Sequence, residues 1–303
     1  MSALSDPYFH DEAAAYAELE GTLWPNGPVC PRCAGQDRIT TVKGGRIGLY
    51  RCGPCKRQFT VKVGTVFEAS HVPLNLWLQA VYLMCSSKKG ISSHQLMRIL
   101  DVQYKTAWFM THRIREAMKA GTLPPMGGEG TTVEIDETFI GKKEGVPIRR
   151  GYAHKHAVMT LVQRGGEARS FHVEGTKAKD LLPIIKKNVL PGTHVMTDEA
   201  GQYSHLNKHF VAHDFVNHGQ KEYVRGDTHT NTAEGFYSVF KRGMKGIYQH
   251  CSEAHLHRYV AEFDFRYNNR VKLGVDDALR TETALKGIVG KRLTYRSSDP
   301  DRG

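Results

Sequence analysis

Apolar residues recur at helical spacing through "VPLNLWLQAVYLMCSSKKGISSHQLMRILDVQYKTAWFMTHRIREAM", which begins at Val72. The period predicts three helices. The first runs from about Leu74 to Ser86 and is stopped by Lys88, Lys89 and Gly90; the second starts after Ser92 or Ser93 and ends near Leu100. The third covers Thr106 to Met118, with Trp108, Ile114 and Met118 inward. "DVQYKT" is the turn before it, so the trio has a helix-turn-helix arrangement, although the turn lacks the usual glycine. In such an arrangement Gln103, Tyr104, Lys105, His112 and Arg113 are candidates to touch bases or phosphates.

"AGTLPPMGGEG", residues 120–130, reads as a linker, and after it the apolar period becomes two. "TTVEIDETFIG", "YAHKHAVMTLVQR" and "ARSFHVEG" read as strands in hairpin succession, and "TKAKDLLPIIKKNVL" as a helix. "THVMTDEAGQY" is a short strand delivering Asp198 at its end. "AHDFVNHG" is another, followed by a flexible "QKEYVRGDTHT" and a long helix beginning near Asn231. The expected order is three strands, helix, strand, helix, strand, helix, an α/β sandwich around a mixed sheet. "SEAHLHRYVAEFDFRYNNR" continues as an aromatic-rich helix, and the tail "SSDPDRG" reads as disordered. The expected divisions are 1–62, 70–120, 131–272 and 273–303.

Cysteines add a metal. "CPRC" (Cys30, Cys33) and "CGPC" (Cys52, Cys55) stand 18 residues apart, around the hairpin-like "RITTVKGGRIGLYRC". Two such pairs converge on one tetrahedral Zn²⁺, leaving no open position, so the zinc is structural. Cys85 and Cys251 read as buried apolar residues. Arg32, Lys43, Arg46, Arg51, Lys56 and Arg57, with Tyr50 and Phe59, suggest a basic and aromatic surface for phosphates and sugars. The 303 residues carry 42 Lys and Arg against 31 Asp and Glu, a charge of +11, which points to a polyanionic partner, foremost nucleic acid. No secretory signal and no long apolar run is read, so a soluble cytoplasmic protein is expected.

Asp136 and Asp198 are each expected at a strand end, and Glu234 follows Asp198 after 35 intervening residues. Three carboxylates meeting in a fold need a cation to neutralise them. Oxygen ligands of this kind call for Mg²⁺ or Mn²⁺, and a pair of ions about 4 Å apart performs nuclease and strand-transfer chemistry. Alternation is expected to turn Glu134 and Glu137 to the opposite face of the strand from Asp136.

"LWPNGPVCPRC", "VEIDETFIG", "MTDEAGQY", "HTNTAEGFYSVFKRG" and "HRYVAEFDFRYNNR" together resemble the DDE-type transposases of bacterial insertion sequences, in the ISXO-like group with an N-terminal zinc ribbon. The resemblance implies a ribonuclease-H-like mixed-sheet core, Mg²⁺ dependence, recognition of terminal inverted repeats, and DNA transfer without a covalent protein intermediate. It matches Asp136 and Asp198 to the first two catalytic positions. The group has either Glu or Asn at the third, and this chain offers Glu234 and Asn231 three apart on one helix. Glu234 is favoured because it brings charge and accepts a proton, with Asn231 as cap or as a group orienting a carboxylate or water. Lys241, two turns beyond Glu234, is expected to hold a phosphate, with Arg242 beside it; His229 precedes the helix, and Arg258, Arg266 and Arg270 are placed to track DNA. Holding two transposon ends together calls for a dimer or larger assembly on double-stranded DNA, at the bacterial nucleoid. Two rival readings are a domesticated zinc-ribbon regulator with an inactive core, and a related ribonuclease-H-superfamily nuclease.

Overall fold

The computed structural model describes residues 3–220 and 224–294; the "SSDPDRG" tail and residues 221–223 of the "QKEYVRGDTHT" segment lie outside these. The chain divides into two compact units, Met1–Lys119 with Val275–Gly303, and Ala120–Gly274.

In the first unit Asp11 caps helix α1 (Glu12–Leu23), its carboxylate accepting the Ala14 N–H at 2.7 Å. A three-stranded antiparallel ribbon follows, β1 (Ile39–Thr41), β2 (Tyr50–Cys52) and β3 (Gln58–Phe59). Helices α2 (Leu74–Ser86), α3 (Ser93–Leu100) and α4 (Tyr104–Met118) come next, close to the expected bounds. Ser92 caps α3 by accepting the Gln95 N–H, and Asp101 ends it in the left-handed conformation, φ 50°. Asp thus does the work of the missing glycine, since its short side chain tolerates that conformation better than most.

The second unit is built on β4 (Thr132–Ile140), β5 (His156–Gln163), β6 (Ala168–Val173), α5 (Ala178–Asn188), β7 (His194–Asp198), β8 (Ala212–Val216), α6 (Asn231–Gly243) and α7 (Glu253–Asn268). Only two 3-10 turns, Gly201–Tyr203 and Leu206–Lys208, lie between β7 and β8, where a helix was expected. The sheet order is β6-β5-β4-β7-β8. β4, β5 and β6 pair antiparallel, while β4–β7 and β7–β8 pair parallel, the mixed sheet of the ribonuclease-H-like expectation. Val133, Ile135, Met159 and Val195 pack on one face with Leu181 and Ile185 of α5. Ile140, Val158 and Val162 pack on the other with Phe236 and Phe240 of α6 and Phe263 of α7. Both faces are buried, so the strands read as apolar runs broken by the few polar residues that matter.

β6 is an edge strand, and α7 satisfies its free backbone groups. Asn268 accepts the Ala168 N–H at 2.7 Å and donates to the Ala168 carbonyl, and Asp264 accepts the Ser170 N–H at 2.8 Å. The edge is thereby closed to pairing with another chain. The expected linker is also partly structured: Met126 is buried and donates to the Asn188 carbonyl at 2.8 Å, and the Gly128 N–H donates to the Thr193 hydroxyl.

After this unit the chain supplies α8 (Asp277–Lys286) to the first one, packed on α1, α2 and α4. Its Arg280 guanidinium donates to the Cys85 carbonyl at 2.9 Å, on α2.

Candidate active site

Strand register brings the two aspartates together. Thr132 lies opposite His194, Val133 opposite Val195 and Glu134 opposite Met196; the same offset carried two residues on sets Asp136 beside Asp198. Asp198 ends β7 as expected, but Asp136 lies in the middle of β4, which continues to Ile140 paired to β5 alone. The cleft therefore opens where two parallel strands part. Asp136, Glu137, Asp198, Lys241 and Lys245 line a cavity of 440 Å³ there.

Helix α6 is set against this cleft by Glu134. Its carboxylate, fully buried, accepts the backbone N–H groups of Thr232 at 2.8 Å and Ala233 at 3.0 Å and the Thr232 hydroxyl at 2.8 Å. Arg164 donates to the same carboxylate at 2.6 Å. The first turn of a helix carries unsatisfied N–H donors and a partial positive charge, so a strand carboxylate both caps it and favours its dipole. This corrects the expected orientation of Glu134. Residues two apart on a strand share a face, so Glu134 lies on the side of Asp136 and only Glu137 is turned away. Farther along α6, Tyr237 donates to the backbone carbonyls of Asp136 at 2.6 Å and Val158 at 3.1 Å. Glu234 sits between these two anchors.

The electrostatics at Asp136 register the whole cluster. Its carboxyl is pushed up to about 7, first by burial, then by the Asp198 charge and by that of Glu234. The Glu137 N–H, 2.7 Å from Oδ1, and the Lys241 ammonium oppose the rise. Glu137, on the other face, is also raised to about 7, chiefly by burial, while hydrogen bonds from Tyr203 and Gln202 favour its ionised form. An all-oxygen donor set whose charges repel in a half-buried cavity is one that a hard divalent cation relieves.

Asn231 is exposed at the first position of α6, and the capping expected of it is done by Glu134. Lys241 is exposed, its ammonium 5.8 Å from the Tyr237 ring centre. Arg242 folds back on its own helix, donating to the Ser238 carbonyl at 3.0 Å and to the Ser238 hydroxyl. His229 Nδ1 accepts from Arg164 at 2.9 Å and stands 3.3 Å from Glu134. The histidine belongs to the support of the helix start. Arg164, at a turn, carried no signal in the sequence.

Among the basic candidates, Lys105 is exposed at the start of α4 and Arg57 on the ribbon. Arg113 is not available to DNA. It is buried, donating to the backbone carbonyls of Val66, Glu68 and Leu293 at 2.9, 3.0 and 3.1 Å, with its guanidinium over Phe109. His112 is fully buried as well. Arg266 pairs inside the unit with Glu262, and Arg270 donates to the Gly166 and Tyr267 carbonyls. Phe59, expected on a binding surface, is core, packed with Trp24 and Tyr50.

The four ribbon cysteines bring their Sγ atoms within 4.8 Å of one another, with Cys30–Cys55 and Cys33–Cys52 both at 3.6 Å. A tetrahedral zinc with Zn–S near 2.3 Å spaces its sulfurs by about 3.8 Å, so the cluster fits one ion. Ala34 and Lys56, each directly after a Cys-x-x-Cys pair, have φ of 54° and 60°, which gives the two turns one shape.

Residues 127–268 match the ISXO2-like transposase domain, and residues 10–58 the transposase zinc-ribbon domain. An uncharacterized protein in transposable element ISH50 of Halobacterium salinarum is 31% identical over 296 residues, covering 91% of this chain and 98% of that protein. Two solved structures show distant likeness at 13% identity. One is the simian T-cell lymphotropic virus intasome in complex with PP2A regulatory subunit B56 gamma, where 56% of this chain covers 63% of that one at a TM-score of 0.27. The other is the Mos1 strand transfer complex, with 69% and 73% covered at a TM-score of 0.29. Among the described residues no helix is long and apolar enough to cross a membrane. With both segments matched in order and the ISH50 protein aligned nearly end to end, the chain belongs to the ISXO2-like transposases that carry an N-terminal zinc ribbon.

Proposed function

We propose that this transposase binds the terminal inverted repeats of its insertion sequence, and that Asp136, Asp198 and Glu234 hydrolyse and join phosphodiesters at the element's ends. One observation carries the reading: the β4–β7 register sets Asp136 beside Asp198 on a cavity that Lys241 also lines, and α6, which carries Glu234 and Lys241, is tied to β4 by Glu134 and Tyr237. Mg²⁺ or Mn²⁺ held by the three carboxylates would supply activation of water or a 3′-hydroxyl and stabilisation of the leaving oxygen. Glu234, exposed on the cleft-facing helix, is suited to ligate and to accept a proton. Lys241 and Lys245, both lining the cavity, offer ammonium groups for the phosphates of the transferred strand. The ribbon (1–62) and helices α2 to α4 (70–120) serve as the end-binding parts, with Arg57 and Lys105 on phosphates, and 131–272 as the catalytic part. The protein acts as a dimer or larger assembly on DNA in the cytoplasm, at the nucleoid.

The test is a strand-transfer assay with pre-cleaved ends and Mg²⁺, run beside an end-binding assay. Asp136→Ala, Asp198→Ala and Glu234→Ala are each expected to lose joining by about 10²–10³-fold or more while still binding ends, since loss of one essential electrostatic group costs about 10²–10³. Asn231→Ala is expected to keep most activity. Joining at the wild-type rate by Glu234→Ala, with Asn231→Ala inactive, would reverse the assignment of the third position.

A further inference from the structure

We propose that His156, His172 and Glu253 form a second metal site, taking a zinc-class divalent cation. The site stands apart from the cysteine cluster and the carboxylate cavity. His156 opens β5, and His172 on β6 lies opposite Val158, so the two imidazoles are diagonal neighbours on the sheet face that α7 covers. Glu253 is the first residue of α7.

The distances suit an ion better than hydrogen bonds. His156 Nδ1 is 3.5 Å and His172 Nε2 3.6 Å from the same Glu253 oxygen, and all three donor atoms lie within 4.8 Å of one another. An N–H···O bond prefers roughly 2.7–3.2 Å. Donors placed tetrahedrally at about 2.0–2.1 Å from zinc stand about 3.3–3.4 Å apart. The rings cross at 74° with centres 5.5 Å apart, so they do not stack. His156 is 3% exposed, and its Nδ1 is buried without a hydrogen bond. A buried nitrogen aimed at a carboxylate beyond bonding distance is an orphan that a cation would satisfy.

Two imidazoles and one carboxylate favour zinc, cobalt or nickel over magnesium. The Glu253 side chain is 51% exposed, which gives an ion a way in and leaves a fourth position for water. His156 also lines a cavity of 160 Å³ together with Lys155 and Lys245, and both lysines line the catalytic cavity too. A metal here ties the first turn of α7 to the sheet face that also carries Asp136.

The experiment is titration of the metal-free full-length protein with cobalt(II), then zinc, in a large excess of Mg²⁺ that keeps the carboxylate cavity occupied, with total zinc per chain measured after dialysis against the same Mg²⁺. Two equivalents are expected. The first gives the thiolate-to-cobalt charge-transfer band of the cysteine cluster; the second adds visible ligand-field absorption without more of that band. His172→Ala and the surface variant Glu253→Ala should each lose the second equivalent and keep the first. Saturation at one equivalent in the wild type, or a second equivalent that survives in both variants, would overturn the proposal.

Discussion

The Glu134 carboxylate accepts the Thr232 backbone N–H at 2.8 Å, so the strand that carries Asp136 also holds the first turn of the helix that carries Glu234. Position of the third carboxylate is thereby set by a residue two places from the first. Glu134→Ala should leave Arg164 without its carboxylate and the helix start without its cap. Breaking one side of such a buried pair costs about 3–5 kcal/mol, and a lost cap about 1. The expected outcome is a lowered melting temperature together with loss of strand transfer. An unchanged melting temperature would show that α6 is held by its apolar face alone.

Asp136 and Glu137 both have carboxyls raised to about 7, Asp136 by burial and the neighbouring negative charges, Glu137 chiefly by burial. Unfolded carboxyls titrate near about 4, so between roughly pH 4 and 7 the native state holds protons that the unfolded chain has released. Their contribution to stability is full below about pH 4 and is lost as pH rises through about 7. Asp136→Asn removes one such carboxyl and keeps an oxygen for the Glu137 N–H. In metal-free protein the variant's melting temperature should exceed the wild type's by a margin that widens from pH 5 to pH 8. Added Mg²⁺ should narrow that margin at pH 8 by stabilising only the wild type. A margin independent of pH would refute the charge argument.

Gly287 ends α8 where a Cβ would stand 2.4 Å from the Ala117 carbonyl oxygen of α4. Gly287→Ala must therefore move one helix off the other, at about 1–3 kcal/mol. Gly21, inside α1 with nothing within 4 Å of its Cβ position, is the contrast: Gly21→Ala should stabilise by about 0.5–1 kcal/mol. Denaturant unfolding of the two variants should move the midpoint in opposite directions.

Local rules made much of this molecule legible. Cysteine spacing and the apolar periods placed the ribbon, α2, α3, α4 and the strands, because each is determined within about ten residues. The three carboxylates were legible as residues, but Asp136 and Asp198 come side by side only through the β4–β7 register, which joins positions 62 apart in sequence, and Glu234 follows from the way Glu134 holds the start of α6. What escaped was tertiary. Arg113 looks like any solvent-facing helix arginine until the Val66 and Leu293 carbonyls are seen around it. The diagonal neighbours His156 and His172 needed the β5–β6 pairing. Glu134 was the exception: it was expected on the opposite face, although residues two apart on a strand share a face and alternation rightly applied puts it with Asp136.

That contrast separates two basic residues on α4. Lys105 is exposed at its start, whereas Arg113 ties three carbonyls inside its unit. If α4 lies against DNA, Lys105→Ala should weaken end binding and lower the slope of log affinity against log salt by about one, because a single phosphate contact is lost. Arg113→Ala should leave the salt slope of the folded protein unchanged and lower its melting temperature, because the buried Val66 carbonyl loses its donor, at about 1–3 kcal/mol, and the half-buried Glu68 and Leu293 carbonyls lose theirs at less. Binding isotherms at several salt concentrations, paired with thermal melts, distinguish the two roles. A reduced salt slope in Arg113→Ala at a temperature where the variant is fully folded would return that arginine to the DNA surface.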